Sequence, residues 1–197
     1  MKAIRWGVTR AGVLILIGLT LVAGRAILGA QPEYGDTLAP FLRSGGPDQR
    51  VEAANFAVKV LGVRGAAKIK RPDGAAVDTA GVWIIVKVRL EAIQKTDRLG
   101  YLGLQDAAGR IFLATERFSQ PLAIRDIQPG LPTEGEIAFE VPSDDAVGLS
   151  FQLSSHLDTQ LALNAVANIA LPVTKAAVAG WLADSTPATL MDTAVAA

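Results

Sequence analysis

The chain has no cysteine among its 197 residues, which excludes disulfides, thiolate nucleophiles and zinc–thiolate centres. Its one histidine is His156; a multi-histidine metal site is therefore excluded, and a Ser-His-Asp relay would have to be built around that single side chain. Neither sign of charge prevails, since 19 basic and 19 acidic residues cancel. A balanced surface offers no electrostatic footprint for a polyphosphate, so nucleic acid is not an expected partner. Only three tryptophans are present, and Trp6 lies in the N-terminal prefix, which leaves little for an aromatic glycan platform. No glycine-rich loop precedes a helix, so there is no phosphate cradle.

What is present points to one packed domain with a hydrophobic prefix. Half of the residues are apolar and 19% are charged, a balance that argues against disorder throughout. Lys2, Arg5 and Arg10 precede Ala11 to Gly24 (AGVLILIGLTLVAG), which carries no charge. A basic stretch followed by an apolar one is the order of a secretory signal, and the excess of basic residues on the N-terminal side keeps that side in the cytoplasm. Two readings follow, a cleaved signal ending at Ala30 or an uncleaved signal anchor. Leu28 at the minus-three position fits a cleavage site poorly, and Arg25 can snorkel to the headgroups, so the anchor is favoured. Residues 1–30 are thus expected to be one transmembrane helix, with a single-pass topology that places the rest outside the cytoplasm.

Residues 31–50 shift to proline, glycine and charge and read as a linker. In it Tyr34, Leu38, Phe41 and Leu42 fall at helical spacing, either as an apolar clasp on the domain edge or as a docking segment for a membrane partner. Beyond Arg50 the period becomes two. Phe56, Val58 and Val60 share a face; Val82, Ile84, Val86, Val88 and Leu90 line one side of the clearest strand, Val82 to Ala92. Further strands are expected at Tyr101 to Gln105, Arg110 to Ala114, Leu122 to Ile127, Glu136 to Val141, Leu149 to Ser154 and Leu161 to Leu171. Turn chemistry separates them at Arg71-Pro72-Asp73-Gly74, Asp106-Ala107-Ala108-Gly109, Gln128-Pro129-Gly130 and Pro142-Ser143-Asp144-Asp145. This pattern predicts an all-β fold, an immunoglobulin-like β-sandwich over residues 51–172. Residues 173–197 are alanine- and threonine-rich; Val178, Trp181 and Leu182 mark at most two helical turns, and a flexible C-terminal tail is expected.

The strand GVWIIVKVRLEA, the hairpin LQDAAGRIF, the segment ATERF and the corner QPGLP followed by GEIAFEVP together resemble exported immunoglobulin-like domains of actinobacteria, a family described only as a domain of unknown function. A secreted mycobacterial immunoprotective antigen belongs to the same structural group. The resemblance spans roughly Arg50 to Pro172 and rests most on Asp106 to Arg110, on Pro129-Gly130 and on Phe139-Glu140-Val141-Pro142. It implies a two-sheet sandwich and export. It implies no activity, because that family has no catalytic residues to carry over.

No constellation in the sequence amounts to an active site, and no enzyme, cofactor or metal is expected. His156 beside Ser154 and Ser155 reads as a solvated residue, and Asp144 and Asp145, with Asp158, offer too few oxygens for the six to eight that calcium takes. Glu134, Glu136 and Glu140 at strand spacing read as a solvated sheet face. Trp83 and Ile85 lie opposite the regular apolar row of their strand: either a second layer covers that face, or they form an exposed patch for a partner. The expected function is a non-catalytic, membrane-tethered extracytoplasmic module that binds or scaffolds another cell-envelope protein. The alternative is a module for a cell-wall glycan or lipid; a small-molecule ligand is not expected.

Overall fold

A computed structural model of the protein describes residues 12–13, 15–25, 39–71, 73–155 and 163–196. The chain divides into two units, Met1–Ala39 and Pro40–Ala197.

In the first unit residues 15–25 are helical, a rise of about 16 Å at 1.5 Å per residue. The run of Ile, Leu and Val in this stretch leaves the helix no polar face on which to rest against water. Ile15, Leu16, Leu19, Leu21 and Val22 are between 62% and 69% exposed. The hydroxyl of Thr20 donates to the Leu16 and Ile17 carbonyl oxygens, at 3.1 and 2.9 Å, and so is satisfied within the helix. Among the described residues no helix is long and apolar enough to cross a membrane; residues 1–11, 14 and 26–30 of the expected span lie outside them.

The second unit is a β-sandwich. Its strands are β1 (Phe41–Gly45), β2 (Val51–Ala53), β3 (Phe56–Lys70), β4 (Ala76–Ala92), β5 (Asp97–Arg98), β6 (Tyr101–Gln105), β7 (Ile111–Leu113), β8 (Asp126–Ile127), β9 (Thr133–Val141), β10 (Ser150–Ser154), β11 (Ala165–Ala170), β12 (Ala188–Thr189) and β13 (Ala194–Val195). One sheet runs β1-β11-β10-β6-β7; the other runs β12-β3-β4-β9-β13, with β2 also paired to β3. Short β5 and β8 pair separately.

The alternation read from the sequence sets the interior. Val82, Ile84, Val86, Val88 and Leu90 of β4 meet Leu102, Leu104, Phe151, Leu153 and Ile169 of the facing sheet in one core. At its centre the rings of Phe139 and Phe151 stand edge to face, 6.0 Å apart at 76°, an arrangement that contributes about 0.5–1.5 kcal/mol beyond burial. A register shift in β3 between Val60 and Gly62 turns its alternation over. Val58 and Val60 face the core before it, whereas Val63 faces the core after it and Arg64 points outward.

The turns behave as their residues require. Asp106 to Arg110 closes the β6–β7 hairpin with Gly109 at φ 82°, and Gly130 follows Pro129 at φ 73°, both values that favour glycine. Leu122 is not in a strand; the chain turns at 121–125 and only Asp126–Ile127 is extended, yet Leu122 is fully buried in the core. The last long strand is Ala165–Ala170, and Leu161 lies outside the described residues.

Two expectations about the flanks are corrected. The supposed linker contains β1, which adds to the sheet in parallel beside β11, with Leu42 opposite Val166. The edge of β11 is otherwise an unpaired row of backbone groups, and β1 satisfies it. The supposed flexible tail is ordered. Thr174 caps a helix over Lys175–Ala183 by accepting from the Ala177 amide at 3.2 Å. Trp181 of this helix lies over Gly65 of β3, where an added Cβ would come within 2.2 Å of the ring.

Close backbone approach makes one glycine decisive. A Cβ on Gly81 would lie 2.1 Å from the Val141 carbonyl oxygen, and backbone cannot swing aside as a side chain can. Gly81→Ala is expected to lower stability by roughly 1–3 kcal/mol, read as a shifted denaturant midpoint; an unchanged midpoint would show that β4 and β9 can separate locally without cost.

Candidate functional site

The outer face of the six-stranded sheet holds the residues singled out from sequence. Trp83 and Ile85 are fully buried, so they form no exposed patch, and that expectation is corrected. They belong to a second, smaller core with Ile69, Val77, Phe118 and Ala138, against which Ala188 and Leu190 pack. The Trp83 ring meets Phe118 at 5.8 Å, Arg117 sits 5.5 Å above the ring, and the indole N–H donates to the Val77 carbonyl at 3.2 Å. Two segments supply this cover, the loop around residues 115–120 and the strap that follows the C-terminal helix.

The strap crosses the sheet from one edge to the other. β12 pairs in parallel with the end of β3, and β13 pairs antiparallel with the start of β9. Between them lies Glu136, only 7% exposed. Its carboxylate accepts from Arg64 Nε at 3.0 Å, from Arg64 Nη2 at 2.7 Å and from the Met191 amide at 2.8 Å. Arg64 Nη2 also donates to the Thr189 carbonyl at 2.7 Å, so one ion pair holds two backbone groups of the strap. Burial pushes the Glu136 carboxyl up, but the Arg64 hydrogen bonds, the Met191 amide, and the charges of Arg64 and Lys87 outweigh it and hold the carboxyl below its ordinary 4.5. Glu136 therefore does not lie on a solvated face, as its spacing with Glu134 and Glu140 suggests. Those two remain nearer to water, Glu134 beside Lys87 and Arg89 at 3.5 and 3.6 Å and Glu140 beside Arg117 at 3.1 Å.

The outer face of the five-stranded sheet is of another kind. Gln152 lies at its centre; its amide donates to Gln105 Oε1 at 2.7 Å and to Asn168 Oδ1 at 3.2 Å, and accepts from the Tyr101 hydroxyl at 3.3 Å. The ladder satisfies its own polar groups, which lets Gln152 be 3% exposed without an unmet hydrogen bond. Burial pushes the Tyr101 phenol up. Beside the ladder, on edge strand β7, Ile111 and Leu113 point to the same side and are 44% and 48% exposed. Sequence reasoning passed over these two because their alternation with Phe112 matches any half-buried strand. Where the chain leaves β7, a groove of about 400 Å³ opens between β6, Leu113, Phe118 and Ile124.

The acidic turn residues have structural partners. Asp145 lies in a short 3-10 turn, Ser143–Asp145, and pairs with Arg110 at 2.5 Å. Arg110 also pairs with Asp106 at 2.6 Å, which ties this turn to the β6–β7 hairpin. Among the described residues no group of three His, Cys, Asp or Glu side chains is placed to hold a metal ion. His156 and Asp158 lie outside the described residues.

Comparison with solved structures finds likeness to the yjhA protein from Bacillus subtilis, at 12% identity, a TM-score of 0.46 and coverage of 63% of this chain and 98% of that one. It also finds likeness to an uncharacterized beta-sandwich protein from Clostridium difficile 630, at 10% identity, a TM-score of 0.44 and coverage of 71% and 99%. No family model and no curated protein matches the chain.

Two measurements test this assignment of cover. Trp83→Ala empties a fully buried site and is expected to cost about 3–5 kcal/mol in urea denaturation; near-normal stability would restore the reading of Trp83 as a surface residue. Glu136→Gln is expected to cost roughly 1–2 kcal/mol at neutral pH, less than for a fully buried pair because Arg64 is 41% exposed. Since folding lowers the Glu136 pKa, its stabilisation is complete above the unfolded value and is lost as the pH falls through the folded one. The wild-type and variant stability curves should therefore converge in acid, and parallel curves would refute the ion-pair account.

Proposed function

We propose that the protein is a non-catalytic, membrane-tethered module whose immunoglobulin-like sandwich lies outside the cytoplasm and binds another cell-envelope protein through edge strand β7 of its five-stranded sheet. The observation that carries this reading is the pair Ile111 and Leu113. Both are large, apolar and about half exposed, on an edge strand beside an amide ladder that is already hydrogen-bonded within itself. A partner that covers them gains apolar burial without stripping water from unpaired polar groups. Edge strand β7 adds backbone groups for pairing with an extended segment. The basic prefix, and the exposure of every large apolar side chain described along helical residues 15–25, support the tether, since such a surface is at home in lipid. The same reading takes the chain as a relative of the exported actinobacterial domains it resembles.

The test is in-cell photo-cross-linking of the full chain with the reactive group at Ile111 or Leu113, and at Thr186 as a control on the strap. One envelope protein captured from the membrane fraction by the first two sites and not by the third is the expected result. The double variant Ile111→Asp/Leu113→Asp should lose that capture while the domain stays folded, at a stability cost of about 1–2 kcal/mol, since each side chain is half-buried and aspartate is disfavoured in strands. Identical capture from all three sites, or recovery of the protein from the soluble cytoplasm, would refute the reading.

A further inference from the structure

The strap over Trp83 is held by its backbone more than by its side chains. Arg64 Nη2 donates to the Thr189 carbonyl at 2.7 Å, and the Glu136 carboxylate accepts from the Met191 amide at 2.8 Å. Between those two backbone groups stands Leu190, which packs against the small core that contains Trp83, Ile85 and Phe118. The face therefore recognises an extended segment by a carbonyl, an apolar side chain and an amide in successive residues, with Ala188 as a smaller second contact. This is the chemistry of a peptide-binding groove, in which main-chain hydrogen bonds give affinity and a pocket for alternate side chains gives specificity.

Floor and cover are unequal in this groove. Trp83, Ile85 and Ile69 are fully buried, whereas no residue from Asp184 to Ala196 is buried. The strap pairs with the sheet only through Ala188–Thr189 and Ala194–Val195. The Thr193 hydroxyl oxygen is buried without a hydrogen-bond partner, an unmet polar group that weakens the seat. A segment with few buried contacts and few backbone bonds opens locally while the rest of a domain stays folded. Exposed residues 184–187 are its hinge, and the helix before them stays on β3 through Trp181 over Gly65. Opening uncovers an apolar floor that water does not satisfy, and so favours another occupant of the same form. We infer that this face also takes the strap of a second copy of the chain, by exchange. Every copy carries Ala188 to Met191, the run that fits the floor within one chain, and reciprocal exchange closes a dimer in which each copy completes the other's groove. The strap of the same chain has the advantage of proximity, so exchange rises with protein concentration.

The absence of cysteine makes a clean test available. Lys70 and Thr189 are exposed and stand opposite each other in the β3–β12 register. Full-length Lys70→Cys and Thr189→Cys chains, differently tagged, are mixed in detergent solution and treated with a short bismaleimide, which joins them when the strap of one lies on the sheet of the other. Thr189→Cys mixed with Ala108→Cys, in the exposed β6–β7 turn, serves as the control. A chain carrying both Lys70→Cys and Thr189→Cys should cross-link within itself when dilute, which establishes that the linker spans the pair. The expected result is a mixed dimer from the first pair, rising with concentration, and none from the control. Adding Leu190→Asp to the Thr189→Cys chain should abolish that dimer. Equal yields from both pairs, or a mixed dimer that survives Leu190→Asp, would overturn the exchange by showing that shared micelles suffice. Cross-linking within the double variant but never between chains would overturn it too and leave the strap as a fixed cover.

Discussion

The structure depends on one constraint, that β4 is apolar on both of its faces at its centre. Val82, Ile84 and Val86 need the five-stranded sheet, and Trp83 and Ile85 need something on the other side. A two-layer sandwich supplies only the first cover. The second is assembled from pieces that no single strand could provide: Phe118 and Arg117 from the loop after β7, and Ala188 and Leu190 from the end of the chain. Much of the irregular part of the molecule is a response to that requirement. The loop is pinned by Gln120, whose side chain accepts from the Ala138 amide at 2.7 Å and donates to the Ala138 and Thr115 carbonyls at 3.3 and 2.8 Å. A side-chain amide thereby stands in for a neighbouring strand along the edge of β9.

Under the strap, covering an apolar face brings a carboxylate into the interior as well. Glu136 lies on the same side of β9 as Ala138, and any segment that shields one shields the other. The register shift in β3 resolves the conflict, because it directs Arg64 to that side, level with Ile85 and Ala138 and diagonally across from Glu136. The pair then offers hydrogen bonds to the strap backbone, which a purely apolar floor could not. Packing and polar satisfaction are met here by the same four groups, Arg64, Glu136, Thr189 and Met191.

Where local pattern decided the outcome, the sequence was legible. The two-residue period of β4, the glycine-closed turn at Asp106 to Gly109 and the Pro129-Gly130 corner each carry their reason within a few residues. Contacts made at long range were not legible. Thr189 meets Arg64 across 125 residues and Met191 meets Glu136 across 55, and nothing in an alanine- and threonine-rich stretch announces that it will lie on a sheet. The same holds for β1, whose five residues sit between Pro40 and Gly46-Pro47 and gain their strand character only from β11. Gly65 was the one local hint of the C-terminal helix, since a glycine inside a strand often marks the close approach of another group. Of the candidate sites, Trp83 and Ile85 were visible as an anomaly, and their burial became clear only with the strap in place. Ile111 and Leu113 were missed because exposure is not written in a strand's alternation.

The order β1-β11-β10-β6-β7 has a mechanical meaning. The chain arrives from its N-terminal unit on one edge strand of this sheet, and Ile111 and Leu113 sit on the other edge strand. A force applied between the two is carried sideways through four successive hydrogen-bonded ladders, and it also reaches the six-stranded sheet just beyond β7, where Ala114 bridges to Phe139 and the Thr115 amide donates to the Ala138 carbonyl at 3.1 Å. Tension across the domain would thus load one layer along its whole width and enter the other at the exit from β7, two residues from Glu136.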